Sequence, residues 1–222
     1  MRKISKTQAL NIILQCAGEY DKKLNNRQFL ILYAKDSTLD SVTVGFRDFN
    51  FLHLTGVRTK LSASMFYSAC ISGKLSEKDF ELDNAGHAVQ KLSVLPYLSG
   101  LLYNKCLLGE YINSGIYVRA DYFAGSTKNT LSLGFESGKK IDYPVTLYNE
   151  SIKNLVEPIY KVVVVYSKTT GETEFNTVTF EDKNTAWDTL DASGNEIIKD
   201  KIQGLLKRQS LTHPQFIPVN KK

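Results

Sequence analysis

The residues best suited to chemistry sit in FRDFNFLHLTGV, Phe46 to Val57. His53, one of three histidines in 222 residues, lies inside this largely apolar run, and Thr55-Gly56 closes it. An imidazole exchanges a proton near neutral pH, so a rigidly held one suits acid–base catalysis. The residue types predict a strand from Phe49 to Thr55, and side chains alternate across a strand. Arg47, Phe49, Phe51, His53 and Thr55 would then share a face, with Leu52 and Leu54 turned into a core. That face would carry a guanidinium, an imidazole and a hydroxyl in one row, with Arg58 and Lys60 just past the glycine. A base beside cations is what phosphodiester cleavage needs. The base takes the proton of the attacking hydroxyl, and the cation stabilises the charge that grows on phosphorus oxygens. A half-buried strand histidine bonded to a carbonyl would use the same residues for structure alone.

A second row is expected downstream, with Tyr117, Arg119, Asp121 and Phe123 on one strand face. Arg119 is placed to grip a phosphate with two parallel N–H donors, or to pair with Asp121 at the surface. Tyr143 and Tyr148 offer phenols for proton transfer or rings for base stacking. Lys128, Lys139 and Lys140 lie in turn-like stretches within reach of a phosphate backbone. His87 and His213 lie in weaker contexts than His53.

The elements that must hold these groups follow from periodicity. Ser5-x-x-Gln8 has the spacing of a capping box, and Leu10, Ile13, Leu14 and Ala17 recur at helical spacing. A first helix is expected from Ser5 to Lys23. Arg27–Ala34 reads as a buried strand, followed by strands over Ser41–Arg47 and Phe49–Thr55. Ser62–Ser72 predicts a short helix closed by Gly73. Gly86–Asn104 holds a helical pattern with Pro96 inside it, either kinked there or beginning near Ser93. Strands are expected over Ile116–Ala124, Thr130–Glu136, Ile141–Asn149 and Tyr160–Lys168. The last is apolar on both faces and therefore central. Glu174–Glu181 would pair with it, and Asn195–Arg208 would form a final helix. The fold class is thus α+β: an N-terminal helix and a central helical insertion packed on an antiparallel β-meander sheet. Residues 1–168 are read as the main domain, 169–210 as a strand and helix extension, and 211–222 as a loosely ordered tail.

Composition narrows the function classes. At 42% hydrophobic and 23% charged, the chain is an ordinary globular protein. Its apolar runs are far too short to span a bilayer, so no membrane partner is expected. The basic and then apolar N-terminus is read as a mature amphipathic helix, since Asn11 and Gln15 interrupt it. Three separated cysteines, Cys16, Cys70 and Cys106, suggest neither zinc site nor disulfide framework, and fit a cytoplasmic protein. Residues 1–60 carry the whole net charge of +5, which favours a polyanion such as RNA as partner. Phosphate-loop, nucleophile-elbow, H-E-x-x-H and paired-carboxylate motifs are lacking. A reaction without metal or cofactor is therefore expected.

FRDFNFLHLTGV, then KLSASMFYSACISGKL, LPYLSGLLY, SGIYVRADYFAG and YPVTLYNE, form an ordered series across residues 5 to 168. This series resembles the phage-type members of the barnase–EndoU–colicin E5/D–RelE-like nuclease superfamily. The resemblance implies helices on an antiparallel sheet and metal-independent RNA cleavage through the ribose 2′-hydroxyl. It also implies a setting in phage or mobile-element conflict, as a toxin that a neutralising or target protein would meet. On this reading His53 is the general base or acid, Thr55 an orienting donor and Arg119 the phosphate clamp. Arg47, Arg58, Lys60, Tyr117 and Tyr148 are the expected substrate contacts. Two other classes fit the residues: an ADP-ribosyltransferase using NAD, with a strand histidine, Tyr122, and Glu136 or Glu150, and a non-catalytic phage-encoded inhibitor or binding module.

Overall fold

The computed structural model describes residues 4–83, 85–112, 120–191 and 199–204. Helix α1, Lys6–Lys23, begins at the predicted capping box. The Gln8 N–H donates to Ser5 Oγ (3.1 Å), and the Ser5 N–H donates to Gln8 Oε1 (3.0 Å). Such a cap is worth about 1 kcal/mol because it satisfies donors that the first turn leaves open. Ala9, Ile13, Cys16, Ala17 and Tyr20 then recur at intervals of three and four, and all are buried.

Strands β1 (Arg27–Lys35) and β2 (Thr38–Phe46) form a hairpin. Helix α2 (Asn50–Thr55) follows, then the two-residue strand β3 (Arg58–Thr59) and helix α3 (Ala63–Ile71). Strand β4 (Phe80–Glu81) pairs with β3, and helix α4 spans His87–Leu98. The remaining strands are β5 (Cys106–Tyr111), β6 (Tyr122–Ser126), β7 (Leu131–Glu136), β8 (Tyr143–Asn149), β9 (Val156–Thr169) and β10 (Thr177–Glu181). The main sheet is antiparallel in the order β2-β1-β9-β5-β6-β7-β8, with β10 also paired to β9. As the sequence predicts, β9 is central and β6 to β8 run as a meander; the meander begins at the unexpected β5, and β9 pairs with β5 and β1 instead of following β8.

The sheet curls until its two ends meet. The Asp142 N–H donates to the Thr43 carbonyl (2.9 Å), and the Gly45 N–H donates to the Asp142 carbonyl (2.8 Å). A Cβ at position 45 would lie 2.9 Å from Ile141 Cγ2, so the closure needs glycine there. The helices fill the concave side. Tyr20, Phe29, Phe46, Phe51 and Phe135 are almost fully buried within this core, and their rings meet edge-on or tilted. A second cluster on the outer face joins Leu30, Leu32, Val163 and Tyr166 to Trp187 and Ile202.

Two local expectations fail. Phe49–Thr55 is not a strand; the segment is α2, and Phe51, Leu54 and Thr55 are buried at helical spacing while His53 faces out. The row of Arg47, Phe49, Phe51, His53 and Thr55 on one strand face therefore does not exist. A six-residue run of mixed apolar and polar types fits both periods, and packing against β8 decides it. Strand β5 also falls in a stretch to which the sequence reading assigns no strand. Gly109 interrupts its apolar pattern, and a Cβ there would collide with Val156, so the glycine serves strand approach. Helix α4 starts at His87 and carries Pro96 in its last turn. Of the expected final helix, residues 199–204 are described and helical. Cys16, Cys70 and Cys106 are all free and buried, and burial pushes each thiol up to about 12. Among the described residues, no helix is long and apolar enough to cross a membrane.

The helical reading of α2 separates two neighbouring phenylalanines. Phe51→Ala should cost about 3–5 kcal/mol, as for a fully enclosed aromatic. Phe49→Ala, at a ring 49% exposed, should change stability by only about 0.5 kcal/mol. Denaturant unfolding of both variants checks this, and equal costs would contradict it.

Candidate active site

Helix α2 is fixed at both ends. At its start, the Arg47 N–H donates to Asn50 Oδ1 (2.8 Å), and the Tyr20 hydroxyl donates to the Arg47 carbonyl (2.8 Å). At its end, Gly56 takes φ 72°, a left-handed cap that glycine adopts without strain. A Cβ on Gly56 would lie 3.2 Å from Ala88 Cα and 2.8 Å from Lys91 Cδ. This close approach seats the end of α2 against α4.

The approach brings Lys91 to His53. Lys91 Nζ donates to the His53 main-chain carbonyl at 2.9 Å. That carbonyl lies in the last turn of α2, where the helix dipole favours a cation. Burial lowers the Lys91 pKa from 10.5 to about 8, and the charge of Asp83 opposes the shift. Asp83 also caps α4: its carboxylate accepts the N–H of Ala88 (2.8 Å) and of His87 (3.1 Å). His87 Nδ1 lies 3.1 Å from the same carboxylate. The junction of α2 and α4 thus gathers His53, His87, Lys91 and Asp83. The His53 side chain is exposed, so a substrate can reach the imidazole. The junction thus holds an exposed histidine on a helix whose last turn is fastened to the Lys91 ammonium.

The other expected site residues are scattered. Thr55 is 0% exposed. Its hydroxyl donates to the Leu52 carbonyl (2.7 Å) and accepts the Val57 N–H (3.3 Å), so it ties off the end of α2. Arg47 is exposed, with its guanidinium on Asn26 Oδ1 at 2.7 Å. Arg58 and Lys60 line a shallow hollow with Lys78, Asp79 and Glu81 along the β3–β4 ribbon. Tyr148 is half-buried, packed edge-on against Phe123 at 6.0 Å, and burial raises its pKa. Tyr117 and Arg119 lie outside the described residues. The NAD alternative began from a strand histidine, and His53 is helical. Its Tyr122 is buried, with the hydroxyl donated to Asp142 Oδ2 at 2.8 Å. Among the described residues, no three or more His, Cys, Asp or Glu side chains are grouped to hold a metal ion.

Lys91 and Asp83 are the residues that sequence reasoning missed. The His87-x-x-x-Lys91 spacing puts both side chains along one helix face, which was visible. The meeting of Lys91 with His53 was not, because it depends on a contact 38 residues apart.

A curled antiparallel sheet enclosing N-terminal and central helices defines an α+β fold. The chain belongs to the family described as phage-Barnase-EndoU-ColicinE5/D-RelE like nuclease4, which matches residues 12–184, well over half of it. The match contains both helices of the junction. No curated protein and no solved structure matches the chain.

Lys91 leaves a signature in stability. The unfolded lysine holds its proton up to about 10.5, and the folded one releases it near 8. Between these values the unfolded chain binds more protons, so the Lys91 contribution to stability rises with pH. Wild type should therefore gain on Lys91→Met from about pH 8 to about 10.5. Unfolding measured across that window checks this, and a constant difference would contradict it.

Proposed function

We propose that the protein is a ribonuclease that cleaves RNA through the ribose 2′-hydroxyl without a metal ion. Membership of a nuclease family supports phosphodiester cleavage. The observation that carries the residue assignment is the exposed His53, with Lys91 fastened to its carbonyl at 2.9 Å. In this reading neutral His53 takes the proton of the 2′-hydroxyl. The freed oxygen attacks phosphorus, the bond from phosphorus to the 5′-oxygen breaks, and a 2′,3′-cyclic phosphate forms. A protonated group returns the proton to the leaving oxygen. The Lys91 ammonium supplies positive charge next to the developing phosphorane. Thr55 acts through position, by finishing the helix that displays His53. Arg119 retains its role as phosphate clamp from the sequence alone. The same reading gives the protein a toxin's part in conflict involving phages or mobile elements.

His53→Ala should reduce RNA cleavage in EDTA by about two orders of magnitude or more, the usual worth of a positioned acid–base group. Undiminished cleavage would remove His53 from the mechanism, and cleavage that requires added metal would reject the cofactor-free reaction. The Lys91 charge should be lost above about pH 8, so the rate should fall there. Lys91→Arg should move that limb upward, since a guanidinium keeps its proton. Expression in bacteria should arrest growth, and His53→Ala should relieve the arrest.

A further inference from the structure

The far end of α4 borders a second polar site. A cleft of about 410 Å³ opens between the last turns of α1 and α4, the start of β5 and the β6–β7 turn. Lys23, Lys105 and Lys128 line it, with Glu19 as the one carboxylate. Tyr97, 51% exposed, and Asn129 also line it. Three cations against one anion leave the cleft positive. Glu19 pairs with Lys23 at 3.3 Å within the cleft and with Lys22 at 3.4 Å outside it, which leaves Lys105 and Lys128 as the remaining cations of the lining.

The cationic lining is held by main-chain structure. Ser126 Oγ accepts the N–H groups of both Lys128 and Asn129 at 3.1 Å, which fixes the turn carrying Lys128. The Thr127 hydroxyl donates to the Lys105 carbonyl at 3.4 Å and ties the start of β5 to that turn. Asp182, whose carboxyl lies within electrostatic reach of Lys105, is held by Lys161 at 2.7 Å.

We infer that this cleft binds the phosphate backbone of single-stranded nucleic acid, with Tyr97 as a stacking platform for a base. The choice of nucleic acid rests on the nuclease reading above. Cations set beside an exposed aromatic ring are the pairing that sequence-tolerant single-strand binders use. A carboxylate-rich protein surface would satisfy the lysines but would leave the ring without a stacking partner. Tyr97 follows Lys91 by six residues on α4, about 9 Å along the helix axis. The cleft therefore lies one short helical segment from His53, as a holding site apart from the reacting groups.

The test uses a 2′-O-methyl single-stranded oligonucleotide, which lacks the attacking hydroxyl, so binding is read without cleavage. Lys23→Gln/Lys105→Gln/Lys128→Gln should weaken binding about tenfold or more and reduce the salt slope by about 2. Tyr97→Ala should weaken it about fivefold to a hundredfold, the span of base–aromatic stacking. The control Lys74→Gln/Lys153→Gln/Lys183→Gln removes equal charge at exposed lysines outside the cleft and should have a much smaller effect. Unfolding measurements confirm that each variant folds. Equal losses in the control and cleft variants, or binding unchanged in the cleft variants, would overturn the proposal. So would polyglutamate competing as well as the oligonucleotide, since that result would assign the cleft to an acidic protein. Cleavage that survives His53→Ala, with binding still lost in the cleft variants, would sink the catalytic assignment and leave the cleft standing.

Discussion

The structure depends on a sheet that curls until β2 meets the residue before β8. Two main-chain hydrogen bonds through Asp142 make that closure, and Gly45 permits it. A closed curve has a fixed interior, so the helices must supply the side chains that fill it. Tyr20 from α1, Phe51 from α2 and Phe66 from α3 do so, against Phe46 and Phe135 from the sheet. The aromatic contacts then set how deep α2 sits. Its outward face, with His53, is what the filled interior leaves over. Site geometry is in this sense a by-product of core volume.

Much of this order could be read from residues alone. The Ser5–Gln8 cap and the apolar spacing behind it mark α1 without ambiguity. The doubly apolar run in β9 marks a central strand, since only a strand covered on both faces hides side chains of both parities. The meander was legible because Gly, Asn and Lys clusters punctuate it. Where reading failed, the deciding force was remote in sequence. The six residues of α2 satisfy either period, and their neighbours in β8 settle the matter nearly a hundred residues later, at the contact between Asn50 and Pro144. Strand β5 hides behind Gly109, which looks like a breaker and is there because Val156 crosses so near.

The candidate site was legible in part for the same reason. His53 stands out by rarity and setting, and its exposure agrees with a reactive role. The cation that reaches its main-chain carbonyl is not Arg47, expected on the same strand, but Lys91, from a helix that Gly56 allows to approach. Thr55 shows how a residue type can mislead: a hydroxyl two positions from a histidine suggests chemistry, yet here it satisfies a carbonyl and an N–H at a helix end. Side chains that finish secondary structure and side chains that transform substrates draw on the same few residue types.

Strand β9 is long enough to take two partners on one side. Near its start, β5 pairs with it, and farther along, β10 pairs with Val164 to Ser167. Without β10, that stretch would carry a row of open amide and carbonyl groups flanked by valines. Exposed strand borders of this kind recruit strands from neighbouring molecules. The segment after β9 thus has a protective office: it keeps the most apolar strand of the protein from seeking a partner in another copy of the chain.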